Sequence, residues 1–312
     1  MHRYIRNSAI AAAAGLALMA TLGASRVIIL KPKSVEAVAT IEVSPPDKSG
    51  KTIAIPDAKV SLLDGTGTSV ATSSSDINGQ FRITAPAAGI YSLCWDIQGR
   101  QTCKREVSLT EPTNYLGKLR TTFKDVQLYG QVLTGDGRAC WVRDPFFKLS
   151  VFTNVDATDA ANNPVAPTIR ANTHGEYFFL LKSAGSYNIT ARCEKSKQNG
   201  SVSIRTVGVL DLNFKNHAPR IDEIAERASG KGVVSVLPNT AVQLTANAKD
   251  IDGDAVEYLW RDDDGVIPTP SPNPNQLTRN APAVDGLHTT YLMARDGYGG
   301  YTYRRFNLEV GK

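Results

Sequence analysis

The chain has 312 residues, of which 42% are hydrophobic and 21% charged, and a net charge of +5. At roughly 100–150 residues per domain this length makes two or three domains, each with enough apolar content for a packed core. The composition argues against a disordered chain and against a polytopic membrane protein. Lys and Arg are scattered, with no basic stripe interleaved with aromatics, which argues against nucleic-acid binding.

The first element is an export segment. Arg3 and Arg6 precede an apolar run from Ser8 to Leu22, with no acidic residue before it. A basic flank followed by such a run is the signature of an exported chain. A cleaved signal would end at Ala24 or after the small-x-small triplet Ala37-Val38-Ala39. An uncleaved helical anchor would instead continue through Val27-Ile28-Ile29-Leu30 and tie the chain to the membrane, with Arg26 snorkelling. Both readings stand. No Cys follows the run, so a lipid anchor is not expected. The leader is placed at 1–39.

Beyond residue 40 short alternating runs recur between Gly, Pro, Asn and Asp, among them "AKVSLLD", "GQFRITA", "GIYSLCW", "VQLYGQVL", "SYNITARC", "AVQLTANA" and "YRRFNLEV". Period-two runs with turn signals between them predict strands, and their number predicts β-sandwiches. The expected fold class is all-β: three tandem β-sandwich domains after an N-terminal hydrophobic helix, at 40–122, 123–214 and 215–312. "RIDEIAERASG" is the one stretch past residue 40 read as a helical turn.

Four cysteines in an exported chain suggest disulfides. "YSLCWDIQGRQTCKREV" folds about a two-residue turn, Gln98-Gly99, which sets Cys94 opposite Cys103. Counting outward from the turn puts that pair at a non-hydrogen-bonded position, where Cα atoms lie about 4.5 Å apart, within disulfide reach. Cys140 and Cys193 then pair by elimination. The competing reading is buried free thiols; no CxxC or His pair makes a zinc site.

An internal repeat links the first two domains. Gly79-Gln80-Phe81-Arg82-Ile83 is echoed 96 positions later by Gly175-Glu176-Tyr177-Phe178-Phe179, and Ala88-Gly89-Ile90-Tyr91 by Ala184-Gly185-Ser186-Tyr187. The unit is a hairpin: Gly opens one strand, apolar residues alternate, and Ala-Gly turns into the next. With "PDAKVSLLDGTGTSVATSSSDINGQFRITAPAAGIYSL", this pattern resembles the carboxypeptidase regulatory-like family, also called transthyretin-like or B-type collagen-adhesin repeats. The second copy is expected to carry an insertion at about 153–166. The resemblance implies a β-sandwich fold; such domains are accessory modules on enzymes, transporters and surface proteins alike.

Residues 217–312 carry other marks: "HAPRI", "VQLTANAKDIDGDAVEYLW" and "ARDGYGGYTYRRFNLEV". They are similar to PKD-type and cadherin-like immunoglobulin-fold domains. Tyr258 and Trp260 share one strand face, with Trp260 as the core tryptophan. Asp250, Asp252 and Asp254 place carboxylates around a Gly turn, with Asp296 in a later Asp-Gly turn; together they form a candidate calcium set. The alternative is that the Asp stretch only builds a tight turn through Asx hydrogen bonds. Tyr298, Tyr301 and Tyr303 are candidates for sugar stacking, and "PTPSPNPNQ" is a stiff connection.

No catalytic constellation emerges. HExxH and GxSxG are absent, and "SGKT" at 49–52 lacks a phosphate-loop context because Pro45 stands where the leading Gly belongs. The expected function is therefore that of a non-enzymatic, exported structural or interaction protein of the cell envelope, in the periplasm, at the cell surface or secreted. Its expected partner is an envelope or extracellular protein. A polysaccharide partner, or a place as accessory subunit of a secreted enzyme or envelope complex, is the alternative.

Overall fold

The computed structural model describes residues 33–46, 50–226, 230, 232–263 and 273–311. The export segment up to Leu30, Asp264 and the opening of the Pro-rich stretch lie outside them. Among the described residues the chain is strands and connections, with no helix.

The first sandwich comprises β1 (Val35–Val43), β2 (Ile53–Ala54), β3 (Lys59–Leu63), β4 (Ser69–Ser74), β5 (Gln80–Ala85), β6 (Gly89–Ile97), β7 (Arg100–Leu109) and β8 (Thr113–Thr121). One sheet has β1 at its centre, antiparallel to β2 and β5 and parallel to β8; the other runs β4-β3-β6-β7. Alternation decides which face is buried: β5 turns Phe81, Ile83 and Ala85 inward and Gln80, Arg82 and Thr84 to solvent.

The second sandwich holds β9 (Val126–Leu133), β10 (Val142–Asp144), β11 (Leu149–Val151), β12 (Asn154–Asp159), β13 (Ile169–Arg170), β14 (Glu176–Leu181), β15 (Gly185–Cys193), β16 (Ser196–Ile204), β17 (Val207–Val209) and β18 (Leu212–Asn213). Its sheets, β14-β9-β17 with β18 also on β9, and β13-β12-β15-β16, repeat the pairing of the first. The third is built from β19 (Arg220–Glu226), β20 (Val233–Val236), β21 (Ala241–Lys249), β22 (Glu257–Asp262), β23 (Gln276–Asn280), β24 (Gly286–Arg295) and β25 (Tyr301–Val310), arranged as β19-β21-β23 against β20-β25-β24-β22. Trp260 is 8% exposed in its core.

The 96-residue repeat is visible in the geometry. Asp76 Oδ1 accepts from the N–H of Asn78 and Gln80, and Asn172 Oδ1 accepts from the N–H of His174 and Glu176. Gly79 and Gly175 follow with φ of 72° and 76°, and a Cβ on either would collide with backbone of the same sandwich. Tyr91 and Tyr187 each pack on the glycine two residues earlier, and their hydroxyls donate to the carbonyls of Ala87 and Ser183.

Three expectations change. "RIDEIAE" is strand β19, because Ile221 and Ile224 are buried against β21 and a one-residue bulge between them mimics helical spacing. The extra element of the second copy is the β10–β11 hairpin, whereas 154–159, read as insertion, is strand β12 in the position β3 holds in the first sandwich. Finally, β1 begins at Val35, and the triplet Ala37-Val38-Ala39 lies inside it with Ala37 fully buried; a cut there would remove half of the central strand.

Candidate functional site

The joints between sandwiches hold the most specific chemistry in the molecule. At the first, apolar side chains cross over: Tyr129 and Phe178 of the second sandwich are 4% and 2% exposed in the core of the first, with Phe123, Leu180 and Val207 packed alongside. Gln98, at the tip of the β6–β7 hairpin, reaches β14, the edge strand of its sheet. Its Nε2 donates to Phe178 O at 2.7 Å and its Oε1 accepts from Leu180 N–H at 2.9 Å. One side-chain amide thus caps an exposed strand edge as a neighbouring strand would. Asn172 Nδ2 donates to Ala54 O, Thr173 to Asn78, Lys51 pairs with Glu176 at 3.2 Å, and Arg170 pairs with Asp57.

The predicted disulfides are both present. Cys94 and Cys103 are cross-strand partners with Cα atoms 4.0 Å apart, and Cys140 and Cys193 are linked across 6.3 Å. The second bridge lies at the other joint. There the turn Asp296–Gly300 between β24 and β25 sits on it, and a Cβ at Gly299 would overlap Cys140 Sγ. Around the turn, Ser196 Oγ donates to Tyr298 O at 2.8 Å, Lys195 N–H to Gly297 O, and the Lys195 ammonium lies 5.5 Å from the Tyr298 ring centre. Arg295 pairs with Glu194 and Arg261 donates to Phe146 O.

The three tyrosines singled out for sugar stacking belong to this joint. Besides the Tyr298 contact, Tyr301 donates its hydroxyl to Trp141 O at 2.6 Å and Tyr303 to Asp144 at 3.1 Å. Phe146 packs edge-on to Tyr291, and Phe147 against Tyr303. The β10–β11 hairpin, absent from the first sandwich, supplies Asp144 and the loop with both Phe rings.

The connection between these sandwiches, residues 214–219, is pinned on both sides. Gly135 N–H donates to Asn216 O, Ala218 N–H to Asp136, and His217 N–H to Asp252 Oδ2 at 2.7 Å, with the His217 ring 3.1 Å from the same carboxylate. This joins the acidic loop to the linker. Asp250, Asp252 and Asp254 each bring a carboxylate oxygen within 4.8 Å of the others. Asp250 Oδ1 accepts from the N–H of Asp252 and Asp254, making the Asx turn, while its Oδ2 is buried without a hydrogen-bond partner. Hydrogen bonds from the His217 N–H, then its ring, hold Asp252 below the usual carboxylate range. Desolvation first, and then the charges of Asp250, Asp296 and Asp252, push Asp254 up.

Asp296 is close enough to act on Asp254, but its own oxygens are spent: they accept from Tyr298 N–H, Gly300 N–H and Asn216 Nδ2. It is 4% exposed and builds the turn over the disulfide. Sequence reading missed Gln98, His217 and Gly299 as joint residues. The Gln98 signal was available, since Gln-Gly occupies a turn where Asn-Gly is the usual choice.

No protein-family model and no curated protein matches the chain. Among solved structures it is similar to the Bacillus anthracis TIE protein, at 13% identity over 89% of this chain and 49% of that one, with a TM-score of 0.24; the chain thus spans about half of that protein's length. It is also similar to the fibronectin(III)-like modules of Clostridium thermocellum CbhA, at 18% identity over 58% of this chain and 89% of that one, TM-score 0.26. A DUF3823 family protein from Parabacteroides merdae is 16% identical over 59% of this chain and 98% of that one, TM-score 0.27. Likenesses with TM-scores this low carry no argument about fold or activity.

Proposed function

We propose that this chain is a non-catalytic, exported interaction protein of the cell envelope, which holds tandem β-sandwiches in a fixed arrangement to present a protein-binding surface. The pair of joints is the observation that carries the reading. Flexible tandem modules are joined by polar, loosely packed linkers. Here one joint shares an apolar core and the other closes a glycine turn over a disulfide. Two disulfides support an oxidising compartment. Within the same proposal, the first sandwich, from β1 at Val35 to residue 122, and 123–214 are carboxypeptidase regulatory-like sandwiches and 215–312 is a PKD/cadherin-like one; the repeated Asx-Gly-Tyr geometry supports the first two. The use of Tyr298, Tyr301 and Tyr303 in the second joint weighs against the polysaccharide alternative.

Crosslinking in cells and co-purification with the full chain, followed by mass spectrometry, tests this reading. A reproducible stoichiometric protein partner is expected, including the case of a larger secreted or envelope complex. Recovery of no enriched protein would overturn it and move the weight to glycan adhesion.

A second reading concerns calcium. The buried, unpartnered Asp250 Oδ2 beside two further carboxylates has the hard-oxygen chemistry that calcium takes. Asp250, Asp252 and Asp254 would hold the ion next to the His217 linker. Melting with calcium and with chelator tests it: a raised midpoint in calcium supports the site, and an unchanged one removes it.

A further inference from the structure

The two disulfides meet solvent differently. Cys140 and Cys193 are each 1% exposed beneath the Gly299 turn. Cys103 is exposed on β7, an edge strand, while its partner Cys94 is 1% exposed. In the bridge between β6 and β7, Cys103 therefore stands on the exposed side of an edge strand, with Cys94 buried beneath it. Access of this kind distinguishes exchangeable disulfides from structural ones.

What that bridge staples is the first joint. Gln98 and Gly99 form the hairpin tip, both with left-handed backbone at φ of 52° and 83°, and the Gln98 amide caps the edge of β14. The tip, Asp96 to Gly99, also walls a cleft of about 350 Å3 between the first and second sandwiches. Beyond the bridge the β6–β7 ladder is interrupted: Arg105 and Glu106 stand against Ser92 alone, with Glu106 at φ 56°. Without the bridge, the segment leading to the tip has an irregular ladder behind it.

We propose that Cys94–Cys103 is a thiol–disulfide exchange site for a dithiol partner, and that its reduction releases the Gln98 lock between the first two sandwiches. The partner's thiolate attacks Cys103 Sγ and breaks the S–S bond, and the Cys94 thiolate leaves and takes up a proton. The partner's second thiol, giving up its proton, then attacks its own sulfur in the mixed disulfide and frees Cys103 as a thiol. The dithiol is oxidised to a disulfide and the protein's disulfide is reduced to two thiols, so electrons and protons balance.

The test uses the full chain under native conditions with dithiothreitol as the dithiol. Alkylated cysteines are followed by mass spectrometry, and hydrogen exchange is followed at the Leu180 amide, whose acceptor is Gln98 Oε1. Cys94 and Cys103 are expected to be alkylated while Cys140–Cys193 stays intact. Leu180 exchange should rise roughly tenfold, toward the rate in an oxidised Gln98→Ala variant. A Cys94→Ser, Cys103→Ser double variant should reproduce the reduced state. Reduction of Cys140–Cys193 first or at the same rate overturns the proposal. So does an unchanged Leu180 rate after Cys94–Cys103 is reduced, or an unchanged rate in Gln98→Ala, which would show that the tip is not the lock.

Discussion

At the residue scale, Gly299 and Asp254 do the most unusual work. Gly299 has φ +100°, a region that L side chains rarely adopt, and no space for a Cβ above Cys140. Gly299→Ala should lower stability by about 2 kcal/mol or more through strain and overlap together; thermal and denaturant melts measure it. Asp254 bears the opposite kind of burden, a carboxylate crowded by others. Its pKa is raised in the native state, so the stability linked to its protonation is present below the unfolded value and is lost as pH rises through the raised one. Asp254→Asn should therefore raise the melting midpoint in chelator and abolish any calcium shift. An Asn variant less stable in chelator, or still responsive to calcium, would contradict this.

Asp252 has the other sign. His217 holds its pKa below the unfolded value, so its contribution is present above that value and is lost as pH falls through the depressed one. The linker clamp should hold at neutral pH and weaken only in acid, below about pH 4. Hydrogen exchange of the His217 amide across that range is the measurement, and Asp252→Asn should flatten its pH dependence.

At the scale of elements, the repeat is the part most legible in sequence. Gly-x-aromatic and Ala-Gly-x-Tyr mark β5 with β6 and β14 with β15 because each position has one physical job: left-handed turn, inward ring, hydroxyl back to the corner carbonyl. Tyr91→Phe and Tyr187→Phe should each cost about 1 kcal/mol. The two losses should add, since the tyrosines sit in separate cores. The register of β6 and β7 followed from Gln98-Gly99 alone, down to Cys94 facing Cys103. Other elements were less readable for reasons that can be named. β1 is buried along most of its length between β5 and β8, so it shows a mostly apolar run where a half-buried strand alternates. β12 offers only Val155 and Ala157 as inward positions within "NVDATD", too little to outvote its polar residues. The apolar contacts of the first joint were unreadable because Phe178, an ordinary strand residue in its own sheet, serves the neighbouring core. Phe178→Ala should cost about 3–5 kcal/mol and should loosen the first sandwich from the second, visible as faster exchange in both.

At the scale of the molecule, the fixed arrangement of the three sandwiches is the central claim. It rests on the shared apolar side chains and Gln98 at one joint, and at the other on the Gly299 turn, the tyrosines of β25 and the pinned 214–219 linker. The most direct measurement is the distance distribution between two spin labels on unnatural side chains at exposed positions, Thr66 in the first sandwich and Val284 in the third, with both disulfides intact. A single narrow distribution is expected, broadening when Phe178→Ala or Gly299→Ala is introduced. A broad distribution in the unaltered protein would contradict the rigid arrangement, and with it the proposal that these sandwiches present one fixed binding surface.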